Sequence, residues 1–354
     1  MPKKAYTAID LFCGAGGLTL GLKNAGFKVV AGVENSAIAA TTYRANHPKV
    51  RLFECDIREI TAEKLFSELE MRPGELDLLA GCPPCQGFSS HKTRNRLPSN
   101  NDARNDLIFE FLRFVEITLP KTIMLENVPA LAKDWRISML RESLSALGYL
   151  IDDEFAQIKD AADFGVPQRR KRLLVKASRL GRIRNAITIQ PKTTVRTAIS
   201  GLSQPGRSGD ALHDIVEKRS DKVKRIISHI PKNGGSRSEL PRSLWLECHK
   251  RNERGYRDVY GRMAWDDVSP TITGGCHNPS KGRFLHPDQD RAITLREAAL
   301  LQTFPNDYKF SLSRGKDSVA LMIGNALPPM FIEQQAKQFI IHLQEESNEL
   351  VTQI

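Results

Sequence analysis

The sequence predicts an α/β fold: a mostly parallel sheet with helices on both faces, plus a smaller irregular domain. Short apolar segments alternate with helical ones through the first 178 residues, which is the pattern of a parallel sheet with crossover helices. The net charge is also unevenly distributed along the chain: residues 168–290 carry +14, whereas the residues before them carry −2 and those after them −1. A solvated basic face would explain an excess of this kind, but its confinement to one segment favours a region that binds a polyanion.

The strands of this sheet are predicted where short apolar runs end in polar residues or glycine. They are residues 6–12, 28–34, 51–56, 76–81, 122–127 and 172–178. Helices are expected between them, with Ser36 as the N-cap of the second and Gly26 at the end of the first. These helices cover residues 16–26, 36–46, 61–70, 102–118 and 135–147. A last amphipathic helix is expected after the Pro-Pro pair near the C-terminus.

The bulk composition narrows the class of protein. A chain of 354 residues is long enough for two domains, or for one large domain with an insertion. No apolar run approaches the roughly 18 residues that a membrane-spanning helix requires, and no signal peptide precedes the first strand. The six cysteines form no disulfide framework, which indicates a reducing compartment and hence the cytoplasm.

Chemically interesting residues lie at the carboxyl ends of the predicted strands, where ligands bind in sheets of this Rossmann-like kind. They are the turn Phe12–Gly17, Glu34, Asp56, Cys85 and Glu126. In "FCGAGG", glycines let the backbone approach a ligand, and Glu34 follows Gly14 by 20 residues, as an acid that binds ribose would. This pattern predicts an adenosine-type cofactor, and NAD stays open as an alternative.

Cys82 and Cys85, in "GCPPCQGFSS", admit several interpretations. A zinc site needs about four ligands, and the remaining Cys-His pairs lie far along the chain, so no metal site is predicted. A redox pair would open a helix, whereas a long polar segment follows here. A buried structural thiol and a nucleophile remain, and a thiol near basic residues at the cofactor edge could attack as a thiolate.

Seven ordered motifs resemble those of the DNA (cytosine-5) methyltransferases. They are "DLFCGAGGLTLGL", "PPCQGFS", "DARNDL", "ENV", "QRRKR", "REAALLQTFP" and "GNALPP". The resemblance covers nearly the whole chain except about 179–265, where such enzymes carry a variable target-recognition region. Met322 and Cys13 stand where many members have glutamine and alanine, and neither departure touches the chemistry.

This resemblance implies a mechanism and a role for several residues. Cys85 would add to C6 of a flipped-out cytosine, so that C5 could accept the methyl group of S-adenosylmethionine. Cys82 would line the cofactor pocket without chemistry. Glu126 would bind N3 and the exocyclic amine of the base, and Arg170 would hold its O2. Arg172 would be structural or near a phosphate.

The resemblance also implies the binding residues and the domains. The cofactor would contact Phe12, Gly14, Ala15, Gly16, Gly17, Leu18, Glu34, Asn35, Asp56, Ile57, Pro84, Leu107, Asn325 and Ala326. Double-stranded DNA would contact Gln86, Ser89, Arg251, Arg254, Arg257, Thr271, Gly274 and Gly275. Residues 1–178 would form the catalytic domain, 179–318 the target-recognition domain and 319–354 a C-terminal helix that returns to the first.

Three alternatives are weaker. An RNA-directed member of the superfamily would usually have Pro-Phe after "PPCQ" and a "CFT" element, whereas Cys248 is followed by His249. A non-catalytic DNA-binding protein would not need both Cys85 and Glu126, and an NAD oxidoreductase leaves the basic segment unexplained. The short N-terminus fits a monomeric bacterial or phage modification enzyme, whose cognate restriction endonuclease would be a genetic partner only. The target sequence cannot be read from the residues.

Overall fold

The computed structural model describes residues 5–84, 106–215, 217–251, 255 and 257–352. Its strands, numbered in chain order, are β1 Thr7–Leu11, β2 Lys28–Glu34, β3 Arg51–Glu54, β4 Leu78–Gly81, β5 Thr122–Asn127, β6 Ala156–Asp160 and β7 Lys171–Ser178. Its helices are α1 Gly17–Ala25, α2 Ala37–Asn46, α3 Ala62–Glu68, α4 Leu107–Thr118, α5 Trp135–Ala146, α6 Val195–Ile199, α7 Asp221–His229, α8 Glu247–Arg251, α9 Leu295–Leu301, α10 Gly315–Asn325 and α11 Pro329–Thr352. Within these ranges, no helix is both long and apolar enough to cross a membrane.

The strands form one sheet in the order β3-β2-β1-β4-β5-β7-β6. The pairings from β3 to β5 are parallel, while β7 runs antiparallel to both β5 and β6. The central strands β4 and β5 are buried along their whole length, as expected of strands covered on both faces. The prediction of a mostly parallel α/β sheet is therefore confirmed, with an antiparallel edge.

Strand β6 is the element that the sequence pattern does not predict. Its five residues, "AQIKD", neither alternate strictly nor form an apolar run, and four of them are only half-buried. It is held by pairing with β7, in register from Ala156 opposite Val175 to Asp160 opposite Lys171. An edge strand of this kind depends on its neighbour more than on its own hydrophobicity.

Two compact units divide the chain. The first consists of residues 1–161, 171–188 and 329–354, and the second of residues 162–170 and 189–328. Compared with the expected boundaries 178/179 and 318/319, the first unit extends to residue 188 but leaves out residues 162–170, and the C-terminal boundary lies later, at 328/329. Residues after β7 stay with the first unit partly because Lys176 donates to the carbonyl of Ile183, 2.7 Å away.

Helix α11 packs against α1 in the first unit. The contact depends on Gly21, where a Cβ atom would come within 2.5 Å of Ile332 Cβ and 2.6 Å of the Pro329 carbonyl oxygen. Near its other end, His342 Nε2 lies 2.7 Å from the hydroxyl of Ser178. The C-terminal helix is thus fixed to the sheet domain along much of its length.

The second unit has little regular structure and is organised around a buried arginine. Arg262 is 0% exposed, and its five N–H groups meet the carbonyls of Ile227, Ile230, His286 and Gln289 and the carboxylate of Asp290. A guanidinium has five donors, so all of them are satisfied here. Arg262 therefore links the end of α7 to the segment that contains His286, Gln289 and Asp290.

Candidate active site

The turn after β1 is folded by residues with positive φ. Phe12 has φ 66°, Gly14 has φ 55° and Gly16 has φ 94°, and the last two values suit glycine because it lacks Cβ. The turn closes with Gly16 N donating to Cys13 O at 2.9 Å, while Cys13 N donates to Val33 O at 3.0 Å. The sequence "FCGAGG" therefore forms a tight turn at the carboxyl end of β1.

Glu34 at the end of β2 is joined to this turn. Its Oε2 accepts a hydrogen bond from Gly14 N at 2.9 Å, and its Oε1 accepts one from Ser36 N at 2.8 Å. Burial raises the pKa of this carboxyl, although the two backbone donors oppose the rise. Ser36 precedes α2 as expected, but its hydroxyl makes no capping bond. Each carboxylate oxygen keeps lone pairs for further donors such as ribose hydroxyls.

Asp56 lies just after β3 and is held by a single neighbour. Arg58 donates through Nε to Oδ1 at 2.9 Å and through its backbone N–H to the same oxygen at 3.0 Å. The hydrogen bond from the Arg58 side chain is the main cause that lowers the pKa of Asp56 to about 2. The carboxylate is therefore ionised near neutral pH and can accept an amino group.

The remaining predicted cofactor residues occupy three places. Ala15, Gly16, Gly17, Leu18 and Ile57 are buried in the first unit, while Asn35 is exposed beside Glu34. Pro84 and Leu107 are half-buried, and of the residues between them the structure describes only Asp106. Asn325 and Ala326 belong to the second unit, at the end of α10, where Asn325 is exposed and Ala326 O accepts a bond from Gln302 Nε2 at 3.3 Å. The structure thus groups the turn, Glu34 and Asp56 along one sheet edge.

A buried acid beneath the turn opens the motif "DLFCGAGGLTLGL", but the resemblance assigns it no role. Asp10 in β1 is 0% exposed, and Thr19 Oγ1 donates to its Oδ2 at 2.6 Å. The Thr19 hydroxyl also lies 2.9 Å from the hydroxyl of Tyr43. Burial raises the pKa of Asp10 to about 7. An aspartate inside an otherwise apolar strand is the signal that could have revealed it.

Glu126 at the end of β5 lies among polar side chains from the two neighbouring strands. Its carboxyl is 2% exposed. Arg172 Nε lies 2.8 Å from Oε1 in an ion pair, and the thiol of Cys82 donates to Oε2 at 2.8 Å. Next to it, Asn127 Nδ2 donates to the carbonyl of Pro83 at 3.1 Å. The "ENV" segment therefore contacts the residues that lead into the predicted nucleophile.

Arg170 and Arg172 of "QRRKR" have different partners in the structure. Arg170 is 2% exposed, and its two terminal nitrogens donate to the carbonyls of Ile272 at 3.0 Å and Gly324 at 2.9 Å, both in the second unit. With both terminal nitrogens bound to main-chain carbonyls, Arg170 is part of the framework of the second unit. Arg172 is the arginine that reaches Glu126, because it lies within β7, two positions from the residue directly opposite Glu126. Residues at that diagonal share a face of the sheet.

Cys82, which was expected to line the cofactor pocket, contacts Glu126 directly. Four predicted residues lie outside the described residues: Cys85, Gln86, Ser89 and Arg254. The structure therefore describes the residues that precede the predicted nucleophile, up to Pro84. The contact between Cys82 and Glu126 follows from strand register, which a single sequence does not reveal.

The predicted DNA-contacting residues that the structure describes belong to the second unit. Arg251 and Arg257 are exposed, while Thr271 Oγ1 donates to the carbonyl of Arg169 at 2.7 Å. The two glycines have packing roles. A Cβ on Gly274 would lie 2.9 Å from Leu321 Cδ1, and one on Gly275 would lie 2.9 Å from Lys281 Cβ. Among the described ranges, no group of three or more His, Cys, Asp or Glu side chains is arranged to hold a metal ion.

Comparison with known proteins adds an independent result. A family model described as C-5 cytosine-specific DNA methylase matches residues 6–340. The chain is 37% identical over 359 residues to the Type II methylase M.HgiDII of Herpetosiphon aurantiacus, an alignment that covers 95% of this chain and 96% of the relative. It is 33% identical to the Type II methyltransferase M1.HphI of Haemophilus parahaemolyticus, with 94% and 86% covered.

A solved structure also resembles the whole chain. It is assigned to a DNA modification methyltransferase encoded within an E. coli prophage, and it superposes with a TM-score of 0.70 at 24% identity. The match covers 96% of this chain and 100% of the other. At this identity the similarity concerns the fold.

Proposed function

Because the chain belongs to the C-5 cytosine-specific DNA methylase family, we propose a specific role for each group of its candidate site. The enzyme is a DNA (cytosine-5-)-methyltransferase, and its family uses S-adenosylmethionine. We propose that it acts on double-stranded DNA in the cytoplasm, as the protecting enzyme of a restriction-modification system whose endonuclease is a separate protein. The Type II designation of the relatives supports this assignment.

Cys85 is the proposed nucleophile. Its thiolate forms a bond to C6 of the cytosine, which gives C5 the character of an enamine carbon. S-adenosylmethionine, when bound, supplies the electrophilic methyl group for C5. The C5 proton then leaves and the thiolate is eliminated, so that the aromatic ring and the free cysteine are both restored. The support is the position of Cys85 in "PPCQ", two residues after Pro83, whose carbonyl accepts a hydrogen bond from Asn127.

Glu126 and Arg172 are the proposed partners of the base. The carboxyl of Glu126 would bind N3 and the exocyclic amine, which favours protonation at N3 as the thiolate attacks C6. Arg172 replaces Arg170 as the candidate for O2, since its guanidinium is already fixed on Oε1 of Glu126. The single observation that carries this proposal is a carboxyl only 2% exposed at the end of a central strand, with an arginine on one of its oxygens.

The cofactor residues are proposed from the geometry of the turn. Glu34 would accept the ribose hydroxyls, since two backbone donors already orient its carboxylate, and ionised Asp56 would accept the adenine amine. The turn Phe12–Gly17 with Leu18 would approach the rest of the molecule. Asn35, Ile57, Pro84 and Leu107 would complete the pocket of the first unit, and Asn325 and Ala326 remain candidates through the family pattern.

The second unit is proposed to bind DNA. A base inside a duplex must be flipped out before its ring can be attacked, and this requires contacts to the phosphates and the groove. The basic character of residues 168–290 and the exposure of Arg251 and Arg257 support a DNA-binding role for this unit. Gln86, Ser89, Arg254 and Thr271 remain candidates through the family pattern.

Sequencing methylated cytosines in DNA and RNA from cells that express the protein tests the function. The expected result is 5-methylcytosine at one position of one recurring duplex DNA sequence, and none in cells that express the Cys85→Ala variant. Methylation found only in RNA would instead support the RNA-directed alternative. Methyl groups on adenine or on cytosine N4 would contradict the proposed chemistry altogether.

A further inference from the structure

The register of the sheet places Cys82 beside Glu126. β4 and β5 pair in parallel from Leu78 opposite Thr122 to Gly81 opposite Leu125, so the next pair along is Cys82 and Glu126. Cys82 N still donates to Leu11 O at 3.3 Å, which extends the strand by one residue. Side chains of directly opposed residues point to the same face of a sheet. The thiol and the carboxyl are therefore neighbours because of the backbone, whichever rotamers they choose.

The carboxyl of Glu126 is held from both sides. Its Oε1 is paired with Arg172 Nε on β7 and its Oε2 accepts the hydrogen of the Cys82 thiol on β4, each at 2.8 Å. One contact alone would leave the carboxyl able to rotate about its last bond, because the terminal torsion of glutamate is broad. Two contacts on different oxygens define the plane of the group.

We propose that Cys82 is a positioning residue for the methylation reaction, which holds Oε2 of Glu126 in the orientation that the cytosine requires. The inference rests on the proposed function, in which Glu126 binds N3 and the exocyclic amine of the base. A thiol is suited to this part because it is a weak donor. It orients the carboxylate without competing strongly with the N–H groups of the substrate for the same oxygen.

Replacement of the thiol tests this role by separating kcat from KM. Cys82→Ala removes the donor and is expected to lower kcat roughly three- to tenfold. This is somewhat less than the loss expected when a stronger hydrogen bond to a charged group is removed. Cys82→Ser keeps a donor and should recover at least half of the lost kcat. The KM for S-adenosylmethionine and the thermal midpoint should stay close to those of the wild type. Cys55→Ala, which removes a half-buried thiol of the same unit, is the matched control and should leave kcat unchanged.

The proposal would be overturned by an unchanged kcat in Cys82→Ala, or by a Cys82→Ser variant whose kcat is no higher than that of Cys82→Ala. A loss of kcat matched by an equal loss of cofactor affinity would also contradict it, because the thiol would then serve the cofactor pocket. Glu126→Gln separates this outcome from failure of the proposed function. If Glu126→Gln kept wild-type kcat, the role of Glu126 itself would be wrong. If Glu126→Gln lost activity while Cys82→Ala kept it, only the positioning role would fail.

The same pair of residues offers a second readout on duplex DNA that contains 5-fluorocytosine. Fluorine at C5 cannot leave as a proton does, so the enzyme should remain bonded to C6 after methyl transfer. Cys82→Ala should form this adduct three- to tenfold more slowly than the wild type, and in a Glu126→Gln background the same replacement should add little. If the double variant instead slowed adduct formation by the product of the two single-variant factors, the thiol would act independently of Glu126. That result would overturn the inference.

Discussion

The guanidinium of Arg172 lies on the carboxyl of Glu126, with 2.8 Å between Nε and Oε1, although the two residues are 46 positions apart in the chain. The contact joins the central strand β5 to the antiparallel strand β7. Arg170, only two residues earlier, is bound instead to two carbonyl groups of the second unit. One short motif therefore provides a framework arginine and the arginine proposed for the active site, and their variants should behave differently.

Conservative replacements should separate the two arginines. Arg172→Lys keeps a charge beside Glu126 but loses the planar guanidinium, so kcat should fall roughly ten- to a hundredfold with little change in stability. Arg170→Lys removes hydrogen bonds to carbonyls and should lower the free energy of unfolding by about 1–3 kcal/mol, while the folded enzyme keeps most of its kcat. Urea unfolding and single-turnover kinetics measure the two effects. The reverse pattern would return the O2 contact to Arg170.

Cys85→Ala should abolish methyl transfer while S-adenosylmethionine still binds, because the thiol serves the base and not the cofactor. Activity assays and calorimetry on the same preparation check both parts. Cys82→Ala should keep substantial activity in parallel assays. Methyl transfer that survived loss of Cys85 but not of Cys82 would reverse the assignment of the nucleophile.

Glu34→Ala and Asp56→Ala should each weaken S-adenosylmethionine binding by about 1–3 kcal/mol, since polar groups of the ligand lose their partners. The effect of Glu34 should be the larger, because its carboxylate also binds Gly14 N and so supports the turn. Titration calorimetry measures the Kd, and exposed Glu59→Ala serves as the control. Unchanged affinity in both variants would remove these acids from the pocket.

Asp10 should make stability depend on pH. Burial raises its pKa to about 7, above the ordinary value of 3.8, so the folded chain holds a proton that the unfolded chain releases. Its contribution to stability is therefore fully present below about pH 4 and is lost as the pH rises through 7. Relative to Asp10→Asn, the wild type should lose on the order of 1–3 kcal/mol between pH 5 and 7.5, since one pH unit corresponds to about 1.4 kcal/mol.

Urea unfolding of both proteins at several pH values measures this difference. Asparagine is the suitable replacement, because its carbonyl can still accept the bond from the Thr19 hydroxyl. Parallel curves for the two proteins would show that Asp10 is already ionised in the folded chain.

DNA affinity should depend steeply on salt, and Arg251 and Arg257 should contribute to that dependence. Removing one arginine that binds a phosphate should reduce the slope of log K against log salt by about 0.9. The double variant Arg251→Ala, Arg257→Ala should therefore bind duplex DNA more weakly at low salt, with an unchanged Kd for S-adenosylmethionine. Exposed Lys49→Ala in the first unit is the control. An unaltered slope would mean that other residues bind the phosphates.

The sequence predicts the sheet domain well where a strand is buried on both faces. The limits of β2 and β5 agree with the prediction, since continuous apolar runs ending in Glu34 and Asn127 leave little ambiguity. β6 escapes prediction because an edge strand takes its structure from its neighbour. The contacts of Cys82 and Arg170 escape prediction for a related reason: they are set by strand register and by main-chain carbonyls far along the chain, neither of which has a local signature.

The manner in which Arg262 is bound has a consequence for how such proteins diversify. Four of its five acceptor groups are main-chain carbonyls, which any residue can provide. Arg262 therefore constrains the course of the main chain at these four positions, and exposed residues on the neighbouring loops can be substituted without removing what the guanidinium holds. A framework held through main-chain carbonyls tolerates substitutions in its loops as long as Arg262 is kept. New recognition surfaces can then arise by substitution without a new fold.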